Sequence, residues 1–212
     1  MDNTLHLQLP EDIKIKNFLG HGRRSTVYAA DMLGTTVVVK IYKETYVQKY
    51  ADKYNADIAE FEYSRNKSFF SQDELKKYTA QPIKILKKDE GYSHSFVQEY
   101  IHGTDLKTFA RKNGYVPDSV LEAGEKILYL AKKINMHDLD ISPGNIKIRQ
   151  VEKLWLPVIY DFNLMPQHLF PPNPIMALAF FTGLRNKSHR DNKSVRSWSF
   201  LAKEAKNLQR QK

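Results

Sequence analysis

Five short stretches of the chain carry residue types suited to handling phosphate. Gly20-His21-Gly22 interrupts a β-prone run that continues Arg23-Arg24-Ser25-Thr26-Val27-Tyr28. Glycines in such a turn let the backbone approach a phosphate that a side chain would block. Lys40 ends the apolar run Val37-Val38-Val39, and a lone lysine closing a buried strand costs desolvation unless it is paired. Glu60 and Glu62 follow on a predicted helix. Asp140 and Asn145 bracket Ile141-Ser142-Pro143-Gly144, and Asp161-Phe162-Asn163 follows Val158-Ile159-Tyr160. An amine and several oxygen-bearing side chains, in this order, suit the movement of a charged phosphoryl group.

The elements that must position these residues are readable in outline. Ile13 to Lys16 alternates, Ser25 to Ala30 is rich in β-formers, and Thr35 to Tyr42 is almost wholly β-branched or aromatic. Turns are predicted at Gly20-His21-Gly22 and at Leu33-Gly34. Val47 to Phe70 reads as one long helix or a helix with a frayed start, with Ile58, Phe61, Arg65 and Phe69 at helical spacing. Pro82–Leu86 and Ser95–Ile101 read as strands, and Gly103-Thr104-Asp105 opens a short helix ending near Asn113-Gly114. The next helix carries the stripe Val120, Ala123, Ile127, Ala131 and Ile134, with Ser119 and Glu122 as a capping box after Pro117. Residues 146–151 and 155–160 read as the strands of a hairpin, and 166–174 is proline-rich and irregular. In the tail, Val195, Trp198, Ala202, Ala205 and Leu208 share one helical face.

Length and composition suit one domain or a two-lobed unit of 212 residues with a real core. There is no cysteine, which removes disulfides, thiolate metal sites and a cysteine nucleophile. Neither a signal peptide nor a membrane-spanning run is expected. The formal charge of +9 favours anionic partners. Residues 183–212 hold nine Lys/Arg against two Asp/Glu, so the excess is concentrated there.

The order and spacing of the motifs resemble the protein-kinase superfamily, over about residues 13–165. The resemblance implies an α+β, minimal bilobal protein-kinase-like fold, with an antiparallel-sheet N-lobe and a small, mostly helical C-lobe. It places the N-lobe at 1–101, a reduced catalytic lobe at 102–174 and a basic helical tail at 175–212. By the same resemblance, ATP and Mg²⁺ are the cofactors. Gly20, Gly22, Val27 and Lys40 would line the nucleotide, with Glu99 and Ile101 binding adenine through their backbone. Lys40 would pair with a helix carboxylate; Glu62 is preferred because Phe69 falls two turns on, and Glu60 is the alternative. Asp140 would accept the hydroxyl proton, and Asn145 and Asp161 would hold the metal.

The sequence departs from that pattern in places. Ser25 stands for the third glycine, Asp138-Leu139 for the usual His-Arg, and Asn163 for a glycine. The 47 residues after Met165 contain no Ala-Pro-Glu, so a peptide-docking platform is not expected. Asp140 to Asn145, with its Pro-Gly, looks most like the bacterial lipopolysaccharide core kinases, which phosphorylate heptose or Kdo hydroxyls. The resemblance implies a cytoplasmic enzyme acting on a sugar or glycolipid acceptor. An atypical protein kinase or autokinase, and a non-catalytic nucleotide-binding adaptor, are the alternatives. The apolar run Ile175 to Phe181 and the basic stretch after it read equally as a peripheral contact with an anionic membrane through 175–198 and as a core helix with a solvated partner. Nucleic acid is not expected, since charge alone points to it.

Overall fold

The computed structural model describes residues 7–134, 136, 139, 144–162, 164, 178 and 182. The chain divides into two compact units, Met1–Phe70 with Ala80–Tyr100, and Ser71–Thr79 with Ile101–Lys212.

The first unit is built on a five-stranded antiparallel sheet. Its strands are β1 (Ile13–His21), β2 (Ser25–Met32), β3 (Thr35–Tyr42), β4 (Pro82–Leu86) and β5 (Ser95–Glu99), in the order β1-β2-β3-β5-β4. Strand β3 lies at the centre, which its near-continuous apolar sequence requires. One face of the sheet buries Ile13, Ala30, Val37, Val39, Leu86 and Val97 as a core. The β2–β3 turn needs a left-handed backbone at both central residues, and Leu33 (φ 52) and Gly34 (φ 82) supply it. The Gly34 amide closes the turn on Asp31 Oδ1 at 2.8 Å.

The glycine turn differs from the expectation. Gly20 and His21 belong to β1, and the reversal is made by Gly22-Arg23-Arg24. The Gly22 amide bonds Ser25 O at 2.8 Å, and Thr26 Oγ1 lies 3.0 Å from His21 Nδ1, which keeps the strands paired further out. Strand β1 reaches this length through two bulges, one between Ile15 and Asn17 and one between Phe18 and Gly20.

The single long helix is also corrected. Two helices occur, α1 (Glu44–Tyr54) and α2 (Ile58–Phe70). Asn55 adopts the left-handed conformation (φ 49, ψ 46) and its amide bonds Ala51 O at 2.8 Å, which ends α1. Asp57 then restarts the chain, its Oδ1 accepting from the amides of Ala59 (2.8 Å) and Glu60 (2.9 Å).

The second unit pairs β6 (Thr104–Asp105), β7 (Ile146–Val151) and β8 (Leu154–Ile159) in one antiparallel sheet, order β6-β7-β8. Helix α3 (Leu106–Asn113) is capped by Asp105, whose side chain accepts from the Thr108 amide at 2.8 Å, and ends at Gly114 (φ 72). Helix α4 (Asp118–Lys133) packs on β8 and buries Val120, Ala123, Gly124, Ile127, Leu130 and Ala131. The expected capping box is absent. Pro117 takes the cap position without a side-chain bond, and Ser119 Oγ instead donates to Trp155 O at 2.8 Å. A 3-10 turn, Lys76–Tyr78, leads to Thr79, which bridges Ile159 in parallel.

Gly103 is fixed by its surroundings. Its φ is +133, and a Cβ there would sit 2.2 Å from Ile148 O on β7. Backbone cannot yield as a flexible side chain can, so Gly103→Ala should cost on the order of 3 kcal/mol of stability, read by urea denaturation. A cost below about 0.5 kcal/mol, the usual range of a surface change, would count against this packing.

Candidate active site

Strand register brings three of the expected nucleotide residues onto one row. Gly20 opposes Val27, Val27 opposes Lys40, and Lys40 opposes Phe96 on β5. Directly opposed residues share a face, so Val27, Lys40 and Phe96 point to the same side of the sheet. A Cβ at Gly20 would meet no atom within 4 Å, and one at Gly22 would stand 3.4 Å from Ser25 O. The fold itself therefore does not demand glycine at 20.

Lys40 is 6% exposed and Glu62 1%. Lys40 Nζ donates to Glu62 Oε1 at 2.5 Å, and the Tyr42 hydroxyl donates to Glu62 Oε2. Lys40 Nζ also lies 5.8 Å from the centroid of the Phe96 ring. Glu60 points elsewhere and pairs with Lys87, an exposed pair of small worth. Glu62 falls on the buried side of α2 with Ile58, Ala59, Arg65, Asn66 and Phe69. The strand thus supplies the amine, and the phase of α2 decides which carboxylate meets it.

The start of α2 is fixed as well. His94 Nε2 is 3.1 Å from the Asp57 carboxylate. Burial opposes ionisation of Asp57, but the His94 ring and the Glu60 and Ala59 amides outweigh it and hold the carboxyl below its ordinary value of 3.8. A depressed value contributes stability above pH 3.8 that is lost as pH falls through the folded value. Asp57→Ala should therefore cost about 1–2 kcal/mol at neutral pH, with the gap from wild type narrowing in acid below 3.8. Denaturation at a series of pH values checks this; a gap that stays constant into acid contradicts it.

In the second unit, Ile146 opposes Ile159 across the β7–β8 hairpin. Asn145 precedes β7 and Asp161 follows β8 by two residues, so both lie at the same open end of the hairpin. The Tyr160 hydroxyl donates to Gly144 O and ties the two exits together. Phe162 and Leu164 are buried, while Asn145 and Asp161 are half-buried. An amide oxygen and a carboxylate form an all-oxygen donor set, which fits a hard cation such as Mg²⁺ completed by phosphate and water. Among the described residues no cluster of three or more His, Cys, Asp or Glu could hold a metal by itself. Asp140, Ser142, Asn163, the 166–174 segment and the 175–212 tail, Leu178 and Thr182 excepted, lie outside the described residues.

The connector residues divide between the units. Glu99 ends β5, its amide bonding Gln81 O at 2.8 Å and its carboxylate accepting from the Gln81 amide at 3.0 Å. Ile101 is buried, and its carbonyl accepts from Lys147 Nζ at 3.2 Å. Burial pushes the Lys147 ammonium below its ordinary value, with Asp105 opposing.

Sequence reasoning missed Tyr42, Phe96 and Lys147 as neighbours of these residues. Tyr42 carried a usable signal, because residues two apart on a strand share a face.

No protein-family model matches the chain, and no curated protein matches it in sequence. Among solved structures it is similar to the crystal structure of Rad53 1–466 in complex with AMP-PNP, with a TM-score of 0.54 and 23% identity. The fold is protein-kinase-like. The similarity covers 73% of this chain and 39% of that one, so the chain spans well under half the length of that protein. Among the described residues, no helix is long and apolar enough to cross a membrane.

Proposed function

We propose that the protein is an ATP-dependent phosphotransferase acting on a hydroxyl of a sugar or lipid-linked glycan. The observation that carries the reading is the buried Lys40–Glu62–Tyr42 cluster, on the same sheet row as Gly20 and Val27. A buried ion pair is a poor source of stability, and an apolar pair of equal volume serves a fold as well. Charge kept in such a place suits a polyanionic ligand, here the nucleotide phosphates. A Mg²⁺ ion held by Asn145 and Asp161 would neutralise phosphate charge when bound. Lys40 orients the phosphates, Glu99 and Ile101 offer backbone groups to the base, and Asp140 takes the acceptor proton.

The glycan acceptor is supported by Asp140-Ile141-Ser142-Pro143-Gly144-Asn145, with its Pro-Gly. The basic 183–212 stretch supports action at an anionic, cytoplasmic membrane face. Purified protein with Mg-ATP and a lipopolysaccharide-core acceptor tests the reading. Phosphate transfer that is lost in Asp140→Ala supports it, and no transfer to any glycan counts against it. Asn163 and the Asp138-Leu139 pair favour a second reading, a nucleotide-binding adaptor without transfer. Binding of Mg-ATP with no turnover would select it.

Gly20→Ala separates fold from ligand. Because a Cβ there is sterically free within the protein, stability should change by less than about 1 kcal/mol. KM for ATP should rise about fivefold, equivalent to ~1 kcal/mol of lost contact. An unchanged KM would place the phosphates away from this turn.

A further inference from the structure

Tyr42 stands two residues beyond Lys40 on β3, on the same face. Its ring is buried and its hydroxyl donates to Oε2 of Glu62, while Lys40 holds Oε1 at 2.5 Å. The Tyr42 ring is tilted against the His94 ring, centroids 6.1 Å apart, and the Tyr42 amide bonds His94 O at 2.9 Å. His94 in turn holds Asp57, which caps the first turn of α2. Tyr42 therefore joins two of the points at which α2 is held, the cap at its start and the carboxylate one turn in.

We propose that Tyr42 is a positioning residue that fixes Glu62, and through it the rotamer of Lys40. A carboxylate with a single strong donor can pivot about its terminal torsion and exchange oxygens. A second donor on the other oxygen removes that freedom. Charge-assisted bonds of this kind are shorter and about twice as strong as neutral ones. Tyr42→Phe keeps the ring and its contact with His94 and removes this donor. As a route to phosphoryl transfer, the inference rests on the reading of Lys40 as a phosphate ligand.

The test is the acylation rate of Lys40 in the full chain, followed by peptide mass spectrometry with an amine-reactive reagent, without nucleotide and with Mg-ATP. Wild-type Lys40 should react slowly, and Mg-ATP should slow it further. Tyr42→Phe should raise the nucleotide-free rate about tenfold, the size of one lost hydrogen bond to a charged group. Glu62→Gln should raise it at least as much, and the double variant should be no faster than Glu62→Gln alone. Lys147, in the other unit, should keep its wild-type rate throughout. A wild-type Lys40 rate in Tyr42→Phe, or effects that multiply in the double variant, would overturn the inference. So would unfolding of Tyr42→Phe or a parallel rise at Lys147, since the hydroxyl would then hold the fold and not the amine. Absence of Mg-ATP protection in wild type, with the Tyr42 effect intact, overturns the nucleotide reading alone.

Discussion

Lys40→Met should lower ATP turnover by about a thousandfold or more, the scale of removing a group that stabilises developing charge. It should also destabilise the first unit. Glu62 is 1% exposed, and removing its ammonium partner leaves a buried carboxylate without its countercharge, which costs about 3–5 kcal/mol. The two losses are separable. Lys40→Met combined with Glu62→Gln removes the carboxylate charge as well, so part of the stability should return. The Tyr42 hydroxyl can still donate to the amide oxygen that Glu62→Gln introduces, so packing at the cluster is preserved. Turnover should stay at the level of the single variant. Urea denaturation and a coupled ATP assay read the two quantities. Turnover within tenfold of wild type in a folded Lys40→Met would remove Lys40 from phosphate handling.

Asp161→Asn should show the opposite balance, a roughly thousandfold loss of turnover with little change in stability. The hairpin that places Asp161 is set by backbone pairing from Ile146↔Ile159 to Val151↔Leu154. Asparagine keeps the shape and removes the charge that a hard cation needs. Thermal melts with ATP and increasing Mg²⁺ provide the measurement. Wild type should gain stability with free ligand as mass action requires, and the variant should lose the Mg²⁺-dependent part. A Mg²⁺-dependent shift that survives in Asp161→Asn would mean that the cation sits elsewhere.

Local chemistry made much of the fold legible. Thr35–Tyr42 and Pro82–Leu86 form strands with the bounds their sequence suggests, and Leu33-Gly34 and Gly114 turn where their left-handed backbone is needed. The break between α1 and α2 was missed. Asn55 accepts a left-handed backbone more readily than most residues, and Asp57 three residues before Glu60 has the spacing of a helix start, but the helical spacing of apolar residues masked both. At Ser119 the pattern misled, because Pro117 already occupies the cap and the serine hydroxyl has a better partner in Trp155 O. The choice between Glu60 and Glu62 turned on helix phase. The expected stripe of Ile58, Phe61, Arg65 and Phe69 holds for Arg65, but Phe61 is only half-buried, whereas Glu62 and Asn66 are buried beside Arg65. A polar buried stripe is invisible to a hydrophobicity pattern, and it is where chemistry tends to sit. The row Gly20–Val27–Lys40–Phe96 likewise depends on strand register, which sequence alone does not set when a strand carries two bulges.

The β7–β8 connection bears on which length changes this protein can accept. Its tip, Glu152-Lys153, is exposed and sits at the far end of the ladder from Asn145 and Asp161. Extra residues confined to that tip leave the ladder untouched, so insertions there should be neutral for the distant oxygens. A single residue added inside either strand would invert every side chain beyond it and carry one donor to the wrong side of the sheet. Homologous chains should therefore vary freely in tip size while conserving the number of rungs between the tip and the two oxygen donors.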